Sequence, residues 1–192
     1  MHHKLQEPSH WVQRFSSLLP HRGHVLDLAA GGGRHGRFLL DCGHRVTFVD
    51  LHTEDLIDLS TLPDTTIIQA DLENGSEWPL QETYSGIIVI NYLYRPILEK
   101  IIDALETGGL LIYETFARGN EVFNRPRNPD HLLKSGELLE LVSEKMQVIA
   151  YEHGNLDLST KPCVVQRICA SKNLRLSKRE DREPPHFSLN IK

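Results

Sequence analysis

The chain has 192 residues, 40% of them hydrophobic and 24% charged, and 26 acidic against 21 basic side chains give a formal charge of −5. This is the composition of a soluble globular domain, which excludes collagenous, coiled-coil and disordered classes, and the mild acidity argues against a dedicated nucleic-acid binder. Cys42, Cys163 and Cys169 form no C-x-x-C pair and read as buried thiols of a reducing compartment, not as disulfides or a zinc site; no run approaches the roughly 20 apolar residues of a membrane span, and no signal pattern opens the chain.

In chain order, Ser9 is placed to cap a helix whose apolar residues Trp11, Val12, Phe15, Leu18 and Leu19 follow the 3.6 period up to Pro20. His24 to Leu28 reads as a buried strand, followed by glycines 31 to 33 and a helix from Arg34 to Cys42 that Gly43 terminates. Arg45 to Asp50, Thr66 to Ala70 and the continuously apolar Tyr84 to Ile90 are the next strands. Tyr94, Ile97, Leu98, Ile101, Ile102 and Leu105 share one helical face, with Gly108-Gly109 expected to end that helix before a strand at Leu110 to Tyr113. Arg118 to His131 is a loop rich in Pro, Asn and Arg; a helix capped by Ser135 runs to Lys145, and strands follow near Met146–His153 and Val164–Ser171. Residues 9–171 form one domain, and 172–192 read as a charged, flexible tail. The alternation predicts a three-layer α/β sandwich around a mostly parallel seven-stranded sheet. The last two strands, joined without a helix, are expected to form an antiparallel hairpin.

A strand that feeds a glycine-rich turn opening a helix is suited to a ligand the backbone must approach closely, with free N–H groups that attract negative charge. Gly31-x-Gly33-x-x-Gly36 fits the dinucleotide fingerprint, and Asp50, about 20 residues on, is placed to accept hydrogen bonds from two ribose hydroxyls. A nicotinamide or flavin enzyme is therefore one reading. Asp27 points to another, because a carboxylate beside the turn would repel a pyrophosphate.

The run Asp27-Leu28-Ala29-Ala30-Gly31-Gly32-Gly33 resembles the first motif of the class I S-adenosylmethionine-dependent methyltransferases, with Ala29 in place of the first glycine and expected to keep a negative φ. The resemblance implies that Asp27 helps to hold the methionine amino end and that Ala29, Gly31 and Gly33 line the adenosyl group. It implies further that Asp50 and Leu51 hold the ribose, that Asp71 and Leu72 meet the adenine, and that Asn91 and Tyr92 face the reactive methyl. From Ser9 to Ser171 the chain is similar to small methyltransferases of the tellurite-resistance-like group, through Leu28 to His35, Asn91 to Pro96, Tyr113 to Asn120 and Arg125 to Pro129. S-adenosyl-L-methionine is thus the implied cofactor, with no metal, and a small molecule the implied acceptor.

A general base is needed only where the acceptor holds its proton at neutral pH. By position the candidates are Tyr92, His35 and Glu114, with His131 in the loop; Glu114 is equally placed to pair with Arg118. The loop 116–130 reads as a lid in which Arg118, Arg125 or Arg127, together with His131, binds an anionic group on the acceptor. Three alternatives remain: an RNA or protein methyltransferase, a catalytically silent cofactor-binding protein, and, last, an NAD(P)-dependent oxidoreductase. Cytoplasmic localisation is expected, nucleic acid and membrane are not expected as partners, and the sequence leaves the oligomeric state open.

Overall fold

The computed structural model describes residues 7–75, 77–156, 162–173, 180–181 and 183–188. Seven strands form one sheet: β1 (His24–Leu28), β2 (Arg45–Asp50), β3 (Thr65–Gln69), β4 (Tyr84–Ile90), β5 (Leu105–Phe116), β6 (Gln147–Leu156) and β7 (Cys163–Ser171). Their order is β3-β2-β1-β4-β5-β7-β6. The first five are parallel, and β7 runs antiparallel to both β5 and β6, the expected hairpin. The order reverses between β1 and β4, and in such sheets a crevice opens at that point beyond the carboxyl ends of the strands.

Alternation along the strands divides the core between the two faces. Leu26 and Leu28 of β1 pack with Ile87 and Val89 of β4 on one side. Val25, Ile88 and Ile90 pack on the other, with Phe48, Leu39 and the first helix. That helix, α1 (His10–Ser16), begins as expected at Ser9, whose hydroxyl accepts the Trp11 N–H at 3.1 Å. Trp11, Val12 and Phe15 are buried, and each such side chain contributes about 1.5–3 kcal/mol. The second helix, α2 (Arg34–Asp41), starts at Gly33 in the left-handed region.

Several boundaries differ from the sequence expectation. After a short 3-10 turn at Arg95–Ile97, helix α3 (Leu98–Asp103) stops well before the glycine pair, which lies inside β5. The pair makes a register irregularity there: Tyr84 faces Leu105, yet Gly86 faces Leu110. The carbonyl end of α3 is satisfied by Lys172, whose ammonium donates to the carbonyls of Ile102 and Leu105, both at 2.8 Å. Lys172 and the buried Asn173, read from sequence as tail, are therefore held against the sheet. Most of the remaining tail lies outside the described residues. Helix α4 (Glu137–Val142) is capped by Gly136 and not by Ser135, because Glu137 turns back to accept the Lys134 N–H at 2.7 Å. Cys163 and Cys169 are buried as expected, but Cys42 is exposed, since it follows the last residue of α2 in a solvated turn. Among the described residues no helix is long and apolar enough to cross a membrane.

Candidate functional site

The glycine turn joins β1 to α2 at the reversal point. Its third glycine is set by packing: a Cβ on Gly36 would lie 2.1 Å from Phe48 Cε1 and 3.0 Å from the Asp27 carboxylate. Bare of a side chain, Gly36 lets α2 settle on β2 and donates its N–H to Asp27 Oδ2 at 2.8 Å. Asp27 is 1% exposed, and burial pushes its carboxyl up to about 7 against the pull of the Gly36 hydrogen bond and of Arg34. Gly31 and Gly33 take positive φ, and space above Gly31 and Gly32 is open. Ala29 also has a positive φ, +54°, contrary to the expected negative value. The turn needs a left-handed residue there whatever its side chain, and this costs roughly 1–2 kcal/mol for alanine.

Asp50 closes the turn from the end of β2. Its Oδ2 accepts the Gly31 N–H at 2.7 Å and its Oδ1 the His52 N–H at 2.9 Å. A carboxylate offers about four acceptor positions, so about two remain for a ligand. Asp71, after β3, accepts the Glu73 N–H through Oδ1 at 2.9 Å. Ala29, Asp50, Leu51, His52, Ala70, Asp71, Leu72, Glu73 and Tyr92 line a cavity of about 520 Å³. Leu51 offers it an apolar face that is 48% exposed.

A second cavity, of about 230 Å³, adjoins the first. It is lined by Glu73, Asn91, Tyr92, Leu93, Thr115, Phe116, Pro126 and His131, so Glu73 and Tyr92 border both. Asn91 sits at φ +58°, its N–H donated to the Glu114 carbonyl at 2.9 Å, and the Tyr92 carbonyl accepts the Tyr113 hydroxyl at 2.9 Å. The Tyr92 hydroxyl is buried beside the Glu73 side chain. Burial and the neighbouring Glu73 carboxylate hold it well above the usual phenol range, so it remains a proton donor.

The structure therefore brings together Ala29, Asp50, Leu51, Asp71, Leu72, Asn91, Tyr92 and His131 from the expected set. Asp27, Gly31 and Gly33 build the turn beside the cavities and line neither. His35 is enclosed within α2; burial, helped by Arg34, lowers its imidazole to about 3, so it is neutral, and it reaches neither cavity. Glu114 is 8% exposed and engaged: it accepts the Ser9 hydroxyl at 2.9 Å and pairs with Arg167 at 3.3 Å, not with Arg118. Arg118, Arg125 and Arg127 are exposed and line neither cavity. Along this segment alternate residues face opposite ways, so Pro126 turns inward and the arginines on either side turn out.

No family model and no curated protein sequence matches the chain. Solved structures do. TehB from Haemophilus influenzae superposes with a TM-score of 0.69 at 18% identity, over 85% of this chain and 61% of that one. The 1,6-didemethyltoxoflavin-N1-methyltransferase of Burkholderia thailandensis, solved with S-adenosylhomocysteine bound, gives 0.63 at 18% over 85% and 79%. A TehB-like S-adenosylmethionine-dependent methyltransferase of Corynebacterium glutamicum gives 0.58 at 20% over 85% and 87%. The chain spans about three fifths of the length of TehB. Its fold is that of the class I S-adenosylmethionine-dependent methyltransferases.

Within this methyltransferase fold, three residues outside the expected site set shape the smaller cavity and the loop beside it. Glu73 borders both cavities; its one sequence signal is its place two residues after the strand-end acid Asp71. Arg95 clamps the loop that carries His131: it grips Glu137 through Nε at 2.6 Å and Nη2 at 3.0 Å, and donates to the carbonyls of Asp130 at 2.6 Å and Leu132 at 2.9 Å. Asn120, fully buried, accepts the Val164 N–H at 3.2 Å and donates to the Pro126 carbonyl at 3.2 Å, which fixes the inward proline. All three join segments far apart in the chain.

Proposed function

We propose that this chain is an S-adenosylmethionine-dependent methyltransferase acting on a small-molecule acceptor. The observation that carries the reading is the pair of adjoining cavities at the sheet reversal, the larger edged by strand-end acids and the smaller roofed by the 117–134 loop. About 520 Å³ is within the range of cofactor sites, whereas about 230 Å³ lies below it and suits a small acceptor.

The residues present fit the cofactor. The space above Gly31 and Gly32, which a Cβ would enter, leaves room for a group laid on the turn. The remaining acceptor positions of Asp50 suit two ribose hydroxyls, and Asp71 keeps Oδ2 for an exocyclic amine between Leu51 and Leu72. Asp27 supports the turn through Gly36 and places a carboxyl beneath the expected amino end. When bound, the cofactor supplies a methyl carbon made electrophilic by its sulfonium. The chain's part would then be to align the acceptor and exclude water, a task suited to Tyr92, Phe116 and Pro126, which line the smaller cavity. Alignment of this kind can supply roughly 7–11 kcal/mol.

The nicotinamide reading is weakened by the buried Asp27 under the turn and by the antiparallel β7. Calorimetric titration with S-adenosylmethionine, S-adenosylhomocysteine and NAD separates the two. The first two are expected to bind at micromolar levels, and Asp50→Ala to weaken both by about 1–3 kcal/mol. Binding of NAD alone would sink the proposal.

A further inference from the structure

We infer that Glu73 makes the site prefer the sulfonium cofactor to its demethylated product, by placing a carboxylate where positive charge is carried before transfer and absent after it. The inference rests on the methyltransferase reading and concerns the junction between the two cavities of that site.

Glu73 and Tyr92 are the two residues that line both cavities, so they stand where a methyl group would cross from one to the other. The Glu73 peptide is fixed on both sides: its N–H is donated to Asp71 at 2.9 Å and its carbonyl accepts the Tyr94 hydroxyl at 3.2 Å. Its carboxylate lies beside the Tyr92 hydroxyl, which is buried at that junction. The other two acids of the larger cavity are placed differently. Asp50 accepts the Gly31 and His52 N–H groups, Asp71 accepts the Glu73 N–H, and neither borders the smaller cavity. No lysine or arginine among the described residues lines either cavity, so the junction is a place of negative potential with Glu73 at its centre.

Cofactor and product differ by one methyl group and one positive charge. Before transfer the sulfur bears that charge, and a carboxylate beside it is attractive; after transfer the sulfur is neutral and the attraction is gone. Glu73 is exposed, so water and salt screen the interaction, and the expected preference is about fivefold, the upper scale of an exposed ion pair. A site of this kind takes up fresh cofactor and releases spent product when both are present.

The test is calorimetric titration of the full chain with S-adenosylmethionine, S-adenosylhomocysteine and sinefungin, in which an ammonium-bearing carbon replaces the methylsulfonium. At low salt both cations are expected to bind about fivefold more tightly than S-adenosylhomocysteine. At about 1 M salt, where charges are screened within roughly 3 Å, the preference should fall below about twofold. Glu73→Gln should abolish it at low salt and leave S-adenosylhomocysteine affinity within about twofold, because it removes the charge and keeps the shape. Asp71→Asn, away from the junction, should weaken all three ligands alike, and Tyr92→Phe should keep the preference. The role of Glu73 falls, and the methyltransferase reading stands, if the wild type binds the product as tightly as the cofactor or if high salt leaves the preference intact. It falls equally if Glu73→Gln keeps the preference or weakens all three ligands alike, or if Asp71→Asn or Tyr92→Phe abolishes it. Binding of NAD and of none of the three would remove the methyltransferase reading and this inference with it.

Discussion

The larger cavity, over the ends of β1, β2 and β3, is shaped by backbone: a glycine turn, an N–H from Gly31 on Asp50, and an N–H from Gly36 on Asp27. The smaller cavity, between the ends of β4 and β5 and the 117–134 loop, is shaped by side chains that reach across the chain, with Arg95 holding the loop and Asn120 holding Pro126. The turn has no room for an added atom at Gly33 or Gly36, where a Cβ would meet Leu56 or Phe48, whereas side-chain clamps can be loosened by degrees. The first half should therefore respond to substitution through folding stability, and the second through acceptor affinity.

The largest expected effect concerns Asp27. Its carboxyl titrates near 3.8 when unfolded and is raised to about 7 when folded, so between those values the folded state holds the extra proton. Stability of the free protein should therefore fall as pH rises from 4 to 7, by up to about 4 kcal/mol, and level off above 7. Urea unfolding across this range should show that slope in the wild type and a shallower one in Asp27→Asn; equal slopes would mean that Asp27 is already ionised in the folded chain. Next is Gly36→Ala, whose methyl meets the fully buried Phe48 and should cost about 2–3 kcal/mol in the same experiment. A loss under 0.5 kcal/mol would show that α2 is free to shift off β2. The smallest effect belongs to the other half. Arg95→Lys keeps the charge but cannot make the two-pronged contact with Glu137, and acceptor KM should rise about fivefold, roughly 1 kcal/mol, with S-adenosylhomocysteine affinity unchanged. A loss of cofactor-side affinity in that variant would break the proposed division.

The same division governs what could be read from the chain alone. Strands β2 and β4 begin and end at the residues expected, because one is rich in β-branched and aromatic residues and the other is largely apolar. The residues that build the larger cavity lie just after strands in local patterns, so Asp50, Leu51, Asp71 and Leu72 could be placed from spacing and resemblance. The smaller cavity joins residues 73, 91–93, 115–116, 126 and 131, a combination that no local pattern encodes. The three arginines that suggested an anion site are exposed and line neither cavity, because side-chain direction within the loop is not encoded in its charge. Gly108-Gly109 misled for a related reason. A glycine pair after an amphipathic run reads as a helix stop, yet a Cβ on Gly109 would lie 3.0 Å from the Tyr84 carbonyl, and the pair is spent on a close approach between strands. Helix α3 is finished instead by Lys172, some 70 residues away.

The first helix is fastened to the end of the chain. Ser9 donates to Glu114, 105 residues on, and the Trp11 indole N–H donates to the Ile168 carbonyl at 3.1 Å, 157 residues on. The Arg167 guanidinium lies 4.7 Å above the Trp11 ring and completes the seat. At the pace of protein synthesis those 157 residues take roughly 8–30 s to make. Through that interval Trp11, Val12 and Phe15 have emerged while part of the surface that buries them does not yet exist. The α1 helix thus cannot complete its packing until β7 has been made, and completion of the domain waits on translation of that strand.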